Sequence, residues 1–555
     1  MKKSYLLLLF FVLLINFQLY SQVIYVDPQL ASDCEGNYSI SNRDCKGTDG
    51  YAYKTLQSAT NVATAGTRVL LREGVYNDPL IPKNSGEKNK PITFTNFGDE
   101  VVEFTGDSLA PAILIDQKDY IVIKGLKLIN CPRFMFIKSS SHITVENCYF
   151  ENSSMFESCC LKTMGDYFCF KNNTLKNGTD LLSIQGGSFH LIEGNTFHTA
   201  SHTCLVFMGV HNSAIRNNVL INPIQKLLEI FATRDREWSA PYRKSEHILI
   251  ENNLFGPNSH RDGLYKGKEP PASWGTQFAG VKCIMRNNIF AGCEGGMDIC
   301  GYGKVGGGAD SPEAVFNYTN RIYNNTVYSN GERGRYSSGP GVTLAHNSES
   351  EYYDNIFMNN IFYANRIFKD NNTKRDSPSI QIAFRSETNP SEVRLYNNNI
   401  TAQSDKNQDV FLMGKEDKEL TLNDFEQAYP EYSGNNIQGN PRFIVEQPNL
   451  KNIDRNEYKL TKDSPCIDAG RFLTYTIGAA QDSVLKVEDP YFFSDGFNIV
   501  EGDIIRVGTE EVQVISIDYD TSYLILSKKI QWKDKAPVSL IYKGTAPDIG
   551  AVESY

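Results

Sequence analysis

The 555-residue chain has no long apolar run after its first fifteen residues, no excess of positive charge, and no cysteine–histidine spacing of the kind that holds zinc. Each absence excludes something. Leu6 to Ile15 is short for a membrane span; Lys2 and Lys3 precede it and a small residue, Ser21, follows it. Residues 1–21 therefore read as a secretory signal, and the mature protein is expected to be secreted or periplasmic, with no membrane span. No cysteine stands at the end of that segment, which argues against a lipoprotein anchor. A net charge of −10 argues against nucleic acid as a general partner. Cys283, Cys293 and Cys300 lack histidines at ligand spacing, so zinc is not expected. The chain does have twelve cysteines, which an exported protein can oxidise. Cys34 and Cys45 bracket a polar loop ahead of the first repeat and are the expected disulfide. Cys131, Cys148, Cys159, Cys160 and Cys169 fall in successive repeats and are expected to pack as buried thiols.

What the chain has in abundance is one short pattern. ENCYF (146–150), KNNTL (171–175), EGNTF (193–197) and RNNVL (216–220) are followed by ENNLF (251–255), RNNIF (286–290), YNNTV (323–327), MNNIF (358–362) and YNNNI (396–400), with KGLKL (124–128) one step earlier. The steps between their first residues are 22, 25, 22, 23, 35, 35, 37, 35 and 38. A repeat of this length, rich in β-branched residues, marks a solenoid. The shorter step suits one turn of a parallel β-helix, and the longer step suits the same turn with an outward loop. Asparagines stacked in register would hydrogen-bond along the coil axis.

A second strand recurs in each repeat: LLSIQGG (181–187), CLVFMGV (204–210), LLEIFAT (227–233), TQFAGVK (276–282), MDICGYG (297–303) and VTLAHNS (342–348). Alternation would turn one set of side chains outward, with Gln185, Glu229, Gln277, Asp298 and His346 expected in one row. At the amino end, DGYAYKTLQSATNVATAGTRVLLREGVY (49–76) reads as a helix with Leu56, Ala59 and Val62 inward, then a strand. This resembles the entry of secreted right-handed β-helix proteins, where a short helix caps the open end. At the carboxyl end, YKLTKDSPCIDAG (458–470) and APDIGAVE (546–553) resemble two halves of the closing segment of such proteins, separated by an insert of alternating strands. The organisation expected is a signal at 1–21, a right-handed parallel β-helix with an amino-terminal cap at 22–470, an inserted small antiparallel β-domain at 471–545, and a return to the last coil at 546–555.

The chain thus resembles all-β, right-handed parallel β-helix proteins of the pectate lyase type. That resemblance implies a carbohydrate-active protein, most often a polysaccharide lyase, glycoside hydrolase or uronan epimerase. The polygalacturonase pattern and the pectate lyase signatures are both absent, so no catalytic residue is carried over. Lysis at a uronate needs a base for the C5 proton and a cation on the carboxylate, either calcium or Arg and Lys. Between Arg216 and Lys268 nine Lys or Arg stand against six Asp or Glu. Within it, Lys226 is the candidate base, Glu229 a candidate acid–base group, and Arg234, Arg236 and Arg243 candidate carboxylate partners. His198, His202 and His211 cluster one repeat earlier, with His202 a candidate base and His211 a candidate substrate contact. Asp262, Trp274, Gln277 and Asp298 would form the other wall of a groove, and Trp238 or Trp274 would stack on sugar rings. For the charged stretch the competing role is a solvated loop; for both tryptophans it is loop packing, which is favoured. A hydrolase would instead pair carboxyls among Glu229, Asp262 and Asp298. The expected partner is an acidic polysaccharide acted on by a monomer; a glycan-binding rod without activity is the third reading.

Overall fold

The computed structural model describes residues 22–553 apart from 108, 156–157, 234–242, 259–273, 302–314, 332–338, 370–374, 378, 387, 404–407 and 415–417. Three long sheets run the length of the solenoid, of 15, 12 and 12 strands among the described residues. One coil shows the rule. Thr203–Met208 lies in the sheet termed the front sheet, His211–Arg216 in the back sheet and Val219–Ile221 in the side sheet, and Lys226–Phe231 then stacks on Thr203–Met208. Nearly all stacking is parallel, so identical positions of successive coils align. The interior is a continuous column of Ile, Leu, Val and Phe closed by the helix Leu56–Val62. Of the three helix residues expected inward, Leu56 and Ala59 are buried, whereas Val62 is exposed and Ala63 takes its place. Cys34 and Cys45 form a disulfide in the polar loop beside the cap.

The Asn-Asn pair makes the corner between back and side sheets, and its two members do different things. The first adopts a left-handed conformation in coil after coil, with φ of 57° at Asn217, 58° at Asn252, 54° at Asn287 and 51° at Asn324. Asparagine tolerates that region better than other L-residues with side chains. The second turns inward and is buried from Asn173 to Asn398, with Asn436 partly buried at the end. Its amide donates to the next coil in an unbroken series Asn173, Asn195, Asn218, Asn253, Asn288, Asn325, Asn360, Asn398 and Asn436, at 2.9–3.1 Å per step. Glu426 terminates it, accepting from Asn436 at 2.8 Å.

Lys162 interrupts the core. It stands in the inward column Ile115, Ile137, Lys162, Ile184 and is fully buried. Its ammonium donates to the carbonyls of Met164 and Gly165, and burial pulls its pKa down to about 7. Below that value the group is charged in both folded and unfolded chains. Between about 7 and the ordinary 10.5 only the unfolded chain holds the proton, so this residue makes stability rise with pH through that window. Lys162→Met is expected to add up to about 4 kcal/mol of stability at pH near 6 and to lose its advantage near pH 10. Denaturant unfolding of both proteins across that range measures it; a constant difference would place the titration elsewhere.

The insert forms a six-stranded antiparallel sheet between Thr474 and Leu540. It shares its core with the outer surface of the back sheet: Leu485, Phe492, Val514 and Leu524 pack with Ala214, Leu249, Ile284, Tyr323 and Ile356. Arg286 is buried in this junction between Glu251, at 2.8 Å, and Asp503, at 2.5 Å. The two halves of the expected closing segment meet, with Ile549 N donating to Cys466 O at 2.9 Å. They lie along the outside of the side sheet, against Ile289, Tyr328, Ile361 and Tyr363, and Asn324 donates to the carbonyl of Asp548. The closing segment therefore lies along the outside of the later coils, where Asn324 and Asn397 donate to the carbonyls of Asp548 and Ala469, because its apolar residues fit the outward apolar row of those strands. Among the described residues no helix is long and apolar enough to cross a membrane.

Candidate functional site

The front sheet departs from strict alternation, and this departure builds the site. In the strand Lys226–Phe231, Leu227 and Leu228 both face the core, so Lys226 and Glu229 emerge on the same outer surface. Two outward rows result. One runs Thr203, Lys226, Trp274, Gly295, and the other Ser183, Val206, Glu229, Gln277, Asp298, Thr343. Successive members stand about 5 Å apart along the solenoid. The expected row held Gln185 and His346 as well. The structure removes both: Gln185 aligns with Met208, two positions further along, and His346 is buried, with Nε2 2.7 Å from Glu392 and its ring stacked on Tyr352.

Five side chains from three adjacent coils interlock. Lys226 Nζ donates to Glu229 Oε1 at 2.5 Å, and Thr203 Oγ1 donates to Glu229 Oε2 at 3.0 Å. The Glu229 side chain is 5% exposed and that of Lys226 18%. His202 Nδ1 lies 2.7 Å from Asp180 Oδ1, which also accepts from Thr203 N. That hydrogen bond, ahead of the opposing effect of burial, raises the His202 pKa above its ordinary 6.5. The imidazole is 36% exposed, and Nε2 has no hydrogen-bond partner among the described residues. Two coils beyond Glu229, burial lifts the Asp298 carboxyl to about 7 against the pull of Lys226 and Gln277, and its Oδ1 has no hydrogen-bond partner among the described residues. The cluster therefore offers an oriented imidazole and, one coil along, the Lys226 amine held by Glu229.

Trp274 opens the strand beside Lys226, and its indole lies on the next turn. A side chain at Gly295 or Gly339 would collide with the ring, at 2.4 and 2.0 Å. This packing fixes the half-buried indole at the rim of the cluster.

The remaining expectations fare differently. His211 and Arg243 lie at the far end of the front-sheet strands, with Arg243 Nε 3.2 Å from His211 Nε2. Burial and then Arg243 lower the His211 pKa. Five residues of extended strand separate Lys226 from Phe231, about 16 Å, so this pair is not part of the cluster. His198 faces Thr199 and Asn222 on the side-sheet corner. Arg234, Arg236, Trp238 and Asp262 lie outside the described residues. Among the described cations of the basic stretch, Arg216 is paired with Glu193, Lys226 with Glu229, and Lys244 lies 3.8 Å from Glu351. Among the described residues no group of three or more His, Cys, Asp or Glu is arranged to hold a metal ion. Sequence reading missed Asp180 and Thr203. The signal was there in the 23-residue steps from Asp180 to Thr203 to Lys226, which the Asn-Asn register already implied.

Known proteins share the scaffold. Residues 92–255 match the family model of the right handed beta helix region. The right-handed parallel β-helix continues through the described coils on both sides of that match, and the antiparallel insert is added to it. The uncharacterized protein YwoF of Bacillus subtilis (strain 168) is 25% identical over 329 residues, which is 52% of this chain and 67% of that protein. Among solved structures the chain resembles pectate lyase Pel9A, with 12% identity, a TM-score of 0.42, and 96% and 97% of the two chains covered. It also resembles an alginate lyase from Paenibacillus sp. str. FPU-7, with 14% identity, a TM-score of 0.35, and 53% and 96% covered. A third is the GH136 lacto-N-biosidase from Eubacterium ramulus, with 12% identity, a TM-score of 0.37, and 62% and 64% covered. None of the three likenesses carries an argument about chemistry.

Proposed function

We propose that the protein is an exported polysaccharide lyase that cleaves an acidic, uronate-containing glycan by β-elimination on the outer surface of the front sheet. The observation that carries this reading is the Asp180–His202 pair, which holds a partly exposed imidazole whose Nε2 has no hydrogen-bond partner among the described residues, one coil from Lys226. A base of that kind, with a pKa near the working pH, suits abstraction of a weakly acidic proton. The expectation that Lys226 is the base gives way to this, because its amine is engaged by Glu229 at 2.5 Å.

The steps balance as follows. His202 Nε2 takes the C5 proton of the uronate, and the electron pair delocalises onto its carboxylate. Lys226 lies where that charge develops, and Arg234 and Arg236 are proposed as further carboxylate partners. The pair then forms the C4–C5 double bond and expels the C4 oxygen, which takes a proton from solvent water. Glu229 and Thr203 position Lys226, and Asp180 positions His202. The Trp274 indole provides a stacking surface at the rim. Calcium enters no step, and a chelator arm in the assay reports on any requirement for it.

A pH profile follows from these roles. Activity should fall on the acid side as His202 gains a proton, with the limb held above the ordinary 6.5 by the Asp180 hydrogen bond. Asp180→Asn should move that limb to lower pH, because the carboxylate that raises the His202 pKa is gone. An unchanged limb would assign the base to another group.

A second reading has one observation in its favour. Glu229 and Asp298 stand two strand spacings apart in one row, about 10 Å between Cα atoms. That is close to the roughly 6.5–9.5 Å between carboxyls of inverting glycosidases. The experiment that separates the readings is incubation with pectic, alginate, glycosaminoglycan and ulvan polymers, with and without chelator. Elimination gives ultraviolet absorbance from the new conjugated double bond. New reducing ends without absorbance would indicate the hydrolase, and binding without products a glycan-binding rod.

A further inference from the structure

The cluster stands at the end of a groove whose lining, among the described residues, holds no ionisable side chain. The groove follows the corner between side and front sheets over the earlier coils, with a volume of about 570 Å³, inside the roughly 300–1,000 Å³ of small-ligand sites. Asn130, Asn152 and Asn177 form one wall and Ser153, Thr179 and Ser201 line it further, with Met155 the single large apolar side chain among the described residues. The three asparagines stack in the open, Asn177 donating to Asn152 at 3.0 Å and Asn152 to Asn130 at 3.1 Å. An asparagine amide has two N–H donors and a carbonyl with two lone pairs, so each step of this stack leaves capacity for a ligand. The inner hydroxyls are oriented: Thr179 Oγ1 donates to Met155 O at 2.7 Å and accepts from Ser201 Oγ at 3.3 Å.

The groove and the cluster are continuous. Thr179 is bonded to Asp180 and Ser201 to His202, so one Cα step of about 3.8 Å separates groove lining from the dyad at both places. From Asn130 to Thr199 the lining crosses three coil steps, about 14 Å at the strand spacing. That is long enough for a short run of linked pyranose rings. Left-handed backbone explains why asparagine occupies these corners, with φ of 55°, 62° and 56°. It does not explain a cleft whose described lining is hydroxyls and amides without charge and which ends at the dyad.

We infer that this groove binds an uncharged stretch of glycan adjoining the acidic residue cleaved at the cluster. This rests on the carbohydrate reading above and deepens it: the substrate is a heteropolymer in which neutral sugars flank a uronate, because hydroxyl and amide groups match neutral sugars and offer no counter-charge to a polyuronate.

Calorimetric titration of the full-length protein with short neutral gluco-, manno-, galacto- and xylo-oligosaccharides tests it, with uronate oligomers as comparison. At least one neutral series should bind. Ser154→Trp, at an exposed position of the lining, and Asn152→Leu should each weaken that binding at least about tenfold, 1.4 kcal/mol, while His202→Ala leaves it unchanged. Two results would overturn the inference: no neutral series binds, or binding survives both groove variants. Selective loss of uronate binding in those variants would also overturn it, since the groove would then take the acidic run. Turnover of a polyuronate without neutral binding refutes the groove alone. Neutral binding lost in the groove variants, with no turnover of any polymer, refutes the lyase and leaves the groove standing.

Discussion

His202→Ala is expected to lower kcat by about 10²–10⁴-fold on the polymer the protein cleaves, the range for loss of a positioned base. KM should change little, because the imidazole acts on the C5 proton and not on the bulk of the chain. The side chain is 36% exposed and outside the core, so folding should be intact. Asp180→Asn should also be slow, since an amide carbonyl still accepts from Nδ1 but no longer stabilises the imidazolium. Added imidazole should restore part of the rate to His202→Ala and none to Asp180→Asn, whose ring remains in place. Full activity in His202→Ala would move the base elsewhere, with His211 the next histidine to replace.

The second large effect concerns stability. Asn253→Leu should cost about 4 kcal/mol, because it leaves three buried polar groups without partners at roughly 1–3 kcal/mol each. Those groups are the backbone N–H and one amide N–H of Asn218, which Asn253 Oδ1 accepts at 3.0 Å, and the carbonyl of Ile215, which its amide reaches at 2.9 Å. Leucine is close in volume, so packing loss is small and the hydrogen bonds dominate. Urea unfolding of both proteins measures the difference. A change below about 1 kcal/mol, the net value of one ordinary hydrogen bond, would show that the ladder relaxes around a gap.

The fold was legible because its signal is periodic. Asn217, Asn252, Asn287 and Asn324 recur in register, and each recurrence reports the same corner. The sequence did not reveal that the two asparagines divide the work, one supplying a left-handed φ and the other a buried amide. The site was legible in part. Lys226, Glu229, Gln277 and Asp298 were found because they sit in apolar strands where charge is out of place. Their relation was not, since residues three apart on a regular strand face opposite ways, and only the double inward turn at Leu227 and Leu228 brings Lys226 onto Glu229. Asp180 was missed because its partner lies one coil away and its own neighbours look ordinary. A local charge count also leaves out Glu193 and Glu351, which pair with Arg216 and Lys244 and come from other coils.

The central claim is elimination at a uronate on the Asp180–His202 surface. The most direct measurement compares, by ultraviolet absorbance, the products from a cleaved uronate polymer with those from the same polymer after its carboxylates are reduced to alcohols. The account predicts absorbance growing with chain cleavage on the acidic polymer, neither on the reduced one, and neither on the acidic polymer with His202→Ala. Cleavage of both polymers to reducing ends without absorbance would contradict it.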